Sequence, residues 1–292
     1  MGAAGRERTV TIPVPGGGSV LADVVIPDEA DGLIVFAHGS GSSRRSVRNR
    51  QVAAALQDRG LATVLMDLLT VSEEDGERRG GRLRFDIGLL ADRLMAVTDW
   101  FAETGGARLA RLPLGYFGAS TGSAAALLAA ARQPYRVGAV VSRGGRPDLA
   151  ASALHRVKAP TLLIVGGADD VVLKVNRAAL AWLDGGGPHQ LAVIPGATHL
   201  FEEPGALEEA ARLAGDWFSR TGSFSPSNPL AASSPASPLT ASSPSSPSPS
   251  SPSSPSPSSP SPSSPSSPSP SRPSRLSRHF SWPGGNGAAS RR

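Results

Sequence analysis

The chain has 292 residues and no cysteine, with 29 lysines and arginines against 24 aspartates and glutamates. Without cysteine it can have no disulfide bond, no thiolate nucleophile and no cysteine-based zinc site. Five of the arginines, but none of the acidic residues, lie after residue 220. The net positive charge therefore belongs to the end of the chain, and no nucleic-acid-binding surface is predicted for the neutral remainder.

The first residues, MGAAGRER, lack the apolar core of a signal peptide. The longest apolar stretch, residues 124–131, is far too short to span a bilayer. These features predict a soluble, cytoplasmic protein that makes no contact with membranes. The acidic residues and histidines show no spacing typical of metal ligands, so neither a metal nor an organic cofactor is predicted.

Strand and helix patterns alternate along most of the chain. Two extended segments, residues 9–15 and 19–26, are joined by three glycines and predict an N-terminal β-hairpin. Apolar runs predict buried strands at residues 33–37, 61–66, 112–117, 136–141, 161–165 and 190–194. Helical patterns follow at residues 46–58, 85–103, 120–132, 149–155, 174–183 and 207–217. This alternation predicts an α/β fold with a doubly wound, mostly parallel sheet.

Three local features complete the predicted fold. Residues 67–81 are predicted to form a long charged loop, and Asp148 is predicted to cap the short helix that follows it. Between Gly122 and Pro160 the predicted elements leave no room for a large cap domain. In such a sheet, ligands bind at the carboxyl ends of the strands.

The segment Gly118-Ala-Ser-Thr-Gly122 stands between a predicted strand and a predicted helix. In this context Gly-x-Ser-x-Gly predicts a nucleophile elbow, a sharp turn that exposes a serine in a strained conformation. Side chains at the two glycine positions would collide with the flanking strand and helix. Ser120 is therefore the predicted nucleophile. The alternative is an ordinary helix start, capped by Ser120 or Thr121.

A serine nucleophile needs a base within hydrogen-bond reach and a third group that orients the base. His199 follows the last predicted strand and is the predicted base. In the chain order Ser, Asp, His, the acid comes between the nucleophile and the base. The strand before the one that leads to His199 is followed by Asp169 and Asp170. Asp169 is the predicted acid. Asp170 is the alternative, and could instead cap the next helix.

The tetrahedral intermediate of acyl transfer needs two preorganised N–H donors. The backbone N–H of Thr121 is one predicted donor, because it follows the nucleophile. The other is predicted in the loop after the first buried strand, at the N–H of Ser40, with Gly41 as the alternative. His38 is predicted to brace this loop, which could otherwise be a simple strand-ending turn.

Four motifs, His-Gly-Ser-Gly, Gly-Ala-Ser-Thr-Gly, Gly-Gly-Ala-Asp-Asp-Val-Val and Gly-Ala-Thr-His, together resemble the α/β-hydrolase fold, in particular its dienelactone-hydrolase-like branch. The resemblance covers about residues 8–219. It implies an ester- or lactone-cleaving hydrolase with Ser120, Asp169 and His199 as its catalytic triad. Dienelactone hydrolase itself uses a cysteine nucleophile where this chain has Ser120, so dienelactone is not the expected substrate.

Arginines at the same edge of the predicted sheet suggest recognition of an anion. The loop after the second buried strand carries four of them, Arg78, Arg79, Arg82 and Arg84. Arg143 and Arg146 follow a later strand, and Arg143 and Arg84 are predicted to bind a carboxylate or phosphate of the substrate. The alternative for the loop arginines is pairing with nearby acidic residues on the surface.

Residues 221–292 consist largely of Ser-Pro repeats with little to bury, which predicts a disordered tail beside a folded domain at residues 1–220. The predicted function is hydrolysis of small carboxylic esters, lactones or thioesters through an acyl-enzyme. One alternative is an acyltransferase on the same triad. The other is a non-catalytic binding protein of the same fold that uses its tail for interactions.

Overall fold

The computed structural model describes residues 5–183 and 186–221, and within them eight strands form one sheet. The strands are β1 (Arg8–Pro13), β2 (Ser19–Val25), β3 (Gly32–Ala37), β4 (Leu61–Met66), β5 (Leu114–Ala119), β6 (Val137–Arg143), β7 (Thr161–Gly166) and β8 (His189–Ile194). Their order across the sheet is β1-β2-β4-β3-β5-β6-β7-β8. Only the pairs β1–β2 and β2–β4 are antiparallel, which confirms the predicted hairpin and the mostly parallel sheet. The predicted tail lies outside the described residues.

Helices cover both faces of the sheet. They are α1 (Val47–Gln57), α2 (Val71–Arg78), α3 (Ile87–Thr104), α4 (Gly106–Ala110), α5 (Thr121–Arg132), α6 (Asp170–Trp182) and α7 (Ala206–Thr221). The core on one face includes residues of α3, α5 and α6, and that on the other includes residues of α1 and α7. Because both faces are covered, β3 is apolar throughout: Leu33 and Val35 belong to the first core, and Ile34 and Phe36 to the second.

The charged segment after β4 is the clearest departure from the predicted elements. The sequence predicts a loop there, but the segment contains α2 and a short 3₁₀ helix, Leu83–Phe85. The side chain of Thr70 accepts a hydrogen bond from Glu73 N–H, and the Glu73 carboxylate accepts one from Thr70 N–H. This reciprocal capping box stabilises the start of a helix whose composition alone is too polar to indicate one.

Two helix starts also differ from the prediction. Helix α6 begins at Asp170 and not at about residue 174, and Asp169 caps it by accepting a hydrogen bond from Val172 N–H. The short helix after β6 is a 3₁₀ segment, Pro147–Arg156, and Asp148 does not cap it. The Asp148 carboxylate instead accepts two hydrogen bonds from Arg146, at 2.8 and 2.7 Å.

The connections at the carboxyl ends of the parallel strands are short. Only the 3₁₀ segment and its flanking turns join β6 to β7, so no large cap domain is inserted there. Ser40, Ser120, Asp169 and His199 each follow a different strand at this edge. No helix in the described part of the chain is long and apolar enough to cross a membrane.

Candidate active site

The turn between β5 and α5 has the geometry of a nucleophile elbow. Ser120 adopts φ 51° and ψ −122°, a left-handed conformation that is rare for residues other than glycine. A Cβ added at Gly118 would lie 2.4 Å from Ser123 Cα, and one at Gly122 would lie 2.2 Å from the carbonyl oxygen of Ala37. Both positions therefore require glycine, as the pentapeptide predicted.

The side chain of Ser120 does not cap α5, which removes half of the alternative interpretation as a helix start. Its backbone is fixed to the neighbouring strand: Ser120 N–H donates to Arg143 O at 3.2 Å, and Arg146 N–H donates to Ser120 O at 3.1 Å. The loop after β3 also packs against it, since a Cβ at Gly39 would lie 3.1 Å from Ser120 Cβ. The turn is thus fixed by backbone hydrogen bonds and by packing of the loop after β3, and the Ser120 hydroxyl takes part in neither interaction.

The imidazole of His199 is hydrogen bonded to a carboxylate. Its Nδ1 lies 2.7 Å from Oδ2 of Asp169, whose side chain is 15% exposed against 40% for the imidazole. Because a carboxylate only accepts, Nδ1 carries the proton and Nε2 of the neutral ring is left as the basic nitrogen. Asp170, the alternative acid, is exposed in the first turn of α6. Asp169 both orients the imidazole and caps the helix, a role that the sequence had left to Asp170.

Gly144 connects the elbow to the histidine loop. It follows Arg143, whose carbonyl oxygen holds Ser120 N–H, and it adopts φ 52°. A Cβ at Gly144 would lie 3.2 Å from His199 O and 3.6 Å from its Cε1. The end of β6 therefore contacts both the serine turn and the imidazole, and these two candidate residues are brought to the same edge.

The predicted oxyanion donors also meet, with one feature that the sequence did not reveal. The N–H of Ser40 donates to Oγ1 of Thr121 at 2.8 Å, and Thr121 is buried. The Thr121 hydroxyl thus holds the loop after β3 and does not cap its own helix. In this structure the Ser40 N–H that was predicted to stabilise an oxyanion is therefore already hydrogen bonded.

The same loop is held by two further side chains. Arg84 Nη1 donates to the carbonyl oxygen of Ser40 at 2.8 Å, so both sides of Ser40 are bound. His38 accepts from Leu68 N–H through Nε2 at 3.2 Å, and its Nδ1 lies 2.9 Å from Gly39 O. Burial lowers the pKa of His38, which favours the neutral ring that these contacts require. His38 braces the loop, as predicted.

The two arginines expected to bind a substrate anion have other contacts. Arg84 forms ion pairs with Glu74 and Glu77 in addition to its bond to Ser40. Arg143 is only 7% exposed, and its Nη2 donates to Asn49 Oδ1 at 3.3 Å. These contacts give no support to the predicted anion-binding role of either residue, because each guanidinium is turned to a neighbouring loop or helix.

Arg143 has an unusual environment. Its guanidinium lies 5.7 Å from the ring centroid of Phe201, which itself adopts φ 57° two residues after His199. Its Nη1 is buried and has no hydrogen-bond partner among the described residues. Burial, together with the charge of Arg48, lowers the pKa of Arg143 to about 10. The sequence could not indicate this setting, since Asn49 and Phe201 are distant from Arg143 along the chain.

Comparisons with known proteins agree with this architecture. A model of the dienelactone hydrolase family matches residues 22–225. Two proteins of Mycobacterium tuberculosis, from strains H37Rv and CDC 1551 and both named "Putative phosphoribosyl transferase", are 56% identical over 211 residues. The match covers 72% of this chain and 45% of those proteins, so the chain spans about half the length of the curated relatives it matches.

Among solved structures, a dienelactone hydrolase from Anabaena variabilis is 55% identical, with a TM-score of 0.70. The match covers 74% of this chain and 98% of that one. Est1E from Butyrivibrio proteoclasticus is 16% identical with a TM-score of 0.59, covering 73% of this chain and 98% of that one. The second likeness is one of fold alone.

Proposed function

This chain belongs to the dienelactone hydrolase family, and on that premise we propose that it is a serine hydrolase of carboxylic esters, lactones or thioesters. The observation that carries the proposal is the backbone of Ser120, which is held at φ 51° while its side chain makes no bond to the helix it precedes. Strain of this kind costs on the order of 1–3 kcal/mol and persists where function uses it.

In the first half of the proposed reaction, Nε2 of His199 accepts the proton of the Ser120 hydroxyl as Oγ attacks the substrate carbonyl carbon. Asp169 fixes the tautomer and stabilises the imidazolium through the 2.7 Å contact with Nδ1. The oxyanion accepts hydrogen bonds from the N–H groups of Thr121 and Ser40, the latter after Thr121 Oγ1 gives up its bond. His199 then protonates the leaving alcohol or thiol, and an acyl-enzyme remains.

In the second half, water replaces the leaving group. His199 Nε2 takes a proton from water, the hydroxide oxygen attacks the acyl carbon, and the imidazolium returns the proton to Ser120 Oγ. The products are a carboxylic acid and the alcohol or thiol released earlier. Every proton is supplied by the serine or by water, so these steps need no metal or organic cofactor.

The experiment that tests this function is labelling with a fluorophosphonate, followed by peptide mass mapping. Wild-type protein is expected to carry one adduct, on Ser120, and His199→Ala is expected to lose it. His155→Ala serves as the matched control, because His155 is exposed on the 3₁₀ segment and is not one of the candidate catalytic residues. Wild-type protein that takes no label would refute the proposal.

The same protein preparation can be assayed for two other activities. Adding an alcohol or amine to an ester assay distinguishes an acyltransferase, which would form the new ester or amide in place of the free acid. The name of the Mycobacterium tuberculosis relatives concerns proteins of which the matched segment is less than half. For the segment present here we propose hydrolysis, and expect no release of pyrophosphate from phosphoribosyl pyrophosphate.

A further inference from the structure

Exposed apolar side chains are concentrated at one edge of the sheet. In the described part of the chain nine large apolar residues are exposed, and six of them follow the carboxyl ends of strands. These six are Val47, Val71, Phe85, Leu149, Val171 and Leu200. Single exposed apolar residues are ordinary on a protein surface, but a concentration at one place indicates that something apolar binds there.

Four of the six lie on segments that carry or hold the candidate catalytic groups, and we refer to Phe85, Leu149, Val171 and Leu200 as the apolar rim. Leu200 directly follows His199, and Val171 lies two residues after Asp169. Their exposed fractions are 41% and 73%.

The other two members of the rim adjoin arginines that are hydrogen bonded to the elbow and the oxyanion loop. The N–H of Leu149 donates to Arg146 O at 3.1 Å, and Arg146 N–H donates to Ser120 O, also at 3.1 Å. Phe85, 61% exposed, follows Arg84, whose guanidinium holds Ser40 O. The rim residues therefore lie on the segments after β4, β6, β7 and β8, each of which carries or holds a part of the candidate site.

Three arginines near the rim are already paired with carboxylates, and Arg143, which has no carboxylate partner in the described structure, is only 7% exposed. Arg84 pairs with Glu74 and Glu77, Arg146 with Asp148, and Arg48 with Glu202. A carboxylate on the substrate would have to compete with these partners for a guanidinium. An aliphatic or aromatic chain, by contrast, would gain by removing the exposed rim from water.

We infer that the apolar rim binds the hydrocarbon chain of an uncharged ester, so that the preferred substrates are esters with an apolar chain and not esters bearing a carboxylate. This inference rests on the proposed hydrolase function. All four rim residues have apolar side chains. Experiment decides whether they bind the acyl chain or the alcohol chain of the ester.

The test uses two series of uncharged esters. In the first, p-nitrophenyl esters run from acetate to octanoate; in the second, acetates of alcohols run from ethanol to octanol. Along one of the series, kcat/KM of the wild type is expected to rise about two- to fourfold per methylene until the rim is covered. A p-nitrophenyl ester of equal length that ends in a carboxylate is expected to react at least tenfold more slowly.

Two double variants test whether the dependence of kcat/KM on chain length comes from the rim. Phe85→Ser with Leu149→Ser is expected to flatten the chain-length dependence, because kcat/KM should fall much more for the octanoate than for the acetate. Tyr135→Ser with Trp182→Ser removes two exposed aromatic side chains away from the site, and should leave the dependence as in the wild type. Melting curves of both proteins verify that the variants are folded.

The outcomes separate the two proposals. A wild type that fluorophosphonate labels but that shows no chain-length dependence, or prefers the carboxylate ester, overturns the rim and leaves the hydrolase standing. The rim is overturned in the same way if both paired variants show the same chain-length dependence. A wild type that takes no label removes the proposed function, and the rim inference with it.

Discussion

Two arginines are buried in the described part of this molecule, in two different regions, and their surroundings differ. Arg93, 3% exposed, lies in α3 on the side of the N-terminal hairpin, where Nη2 donates to Glu73 at 2.7 Å and Nη1 to Pro15 O at 2.6 Å. Arg143, 7% exposed, ends β6 at the candidate site and has only the Asn49 amide oxygen and the Phe201 ring.

The difference distinguishes a scaffold region, around Arg93, from a functional region, around Arg143 and the candidate site. At Arg93 a carboxylate and a carbonyl oxygen compensate the lost hydration, and the arginine joins α3, the hairpin and the start of α2. At Arg143 the described structure supplies no carboxylate, and burial lowers the pKa to about 10. A lowered pKa means that folding disfavours the charged form, a cost on the order of 3 kcal/mol at neutral pH that fades only as pH rises above about 10. Such a cost is typical of functional regions.

The largest expected effect is a loss of activity in the functional region without a loss of stability. Asp169→Asn should lower kcat about 10³- to 10⁴-fold, because an amide no longer selects the Nδ1–H tautomer of His199 or stabilises its charge. Asparagine caps helices as well as aspartate does, so the melting temperature should hardly change. Ester kinetics and a thermal melt provide the measurement. Asp170→Asn is the matched control, and an equal loss there would contradict the assignment.

In the scaffold region the expected effect is on stability. Arg93→Met strips Glu73 and Pro15 O of a buried donor and should lower the free energy of unfolding by about 2–4 kcal/mol. The melting temperature should then fall by roughly 5–10 °C, with kcat unchanged in protein that remains folded. Arg212→Met, which breaks exposed pairs with Glu209 and Asp216, should lower the free energy of unfolding far less, because water screens such pairs. Similar losses in both would mean that burial of the pair is unimportant.

The same substitution in the functional region should have the opposite sign. Arg143→Met removes an uncompensated buried charge and should raise the free energy of unfolding by about 1–2 kcal/mol, after loss of the contact with Phe201. Activity should fall several-fold, because the loop that carries His199 loses its support. Denaturant unfolding and kcat/KM measure the two effects. A destabilisation as large as that of Arg93→Met would abolish the contrast between the regions.

The smallest expected effect concerns the oxyanion loop. Thr121→Val removes the hydroxyl that positions the Ser40 N–H and should lower kcat about threefold with little change in KM, because that N–H is a donor used in the transition state. Thr121→Ser keeps the hydroxyl and should restore most of the rate. If the valine variant equals or exceeds the wild type, the hydroxyl competes with the substrate and does not orient the donor.

The sequence predicted those parts of the molecule that depend on local pattern. Apolar runs between helical segments indicate the succession of strands along the chain, and the parallel-sheet rule places Ser120, Asp169 and His199 at one edge from the sequence alone. Helix α2 was not predicted although its capping box, Thr70 and Glu73, is visible in the sequence, because the high charge of the segment favours a loop.

The roles of the arginines could not be predicted in this way. Arg84 and Arg143 look alike in the sequence, as cations in segments that follow a strand at the same edge of the sheet. Their functions are set by Ser40, Asn49 and Phe201, partners that only the tertiary fold brings near. The apolar rim was not predicted for a related reason, since its members are single residues on four separate segments.

Strand β8 lies at the edge of the sheet and pairs only with β7. Most of its residues are partly or fully exposed, and it leads directly to the turn that carries His199. Amide protons on such a strand exchange through local opening more readily than those of β5, which is buried between two neighbours and carries Ser120. The proposed nucleophile thus follows a fully buried inner strand, and the proposed base follows an exposed edge strand. On warming, we expect the two to separate, and any activity that needs both to be lost, before the core melts.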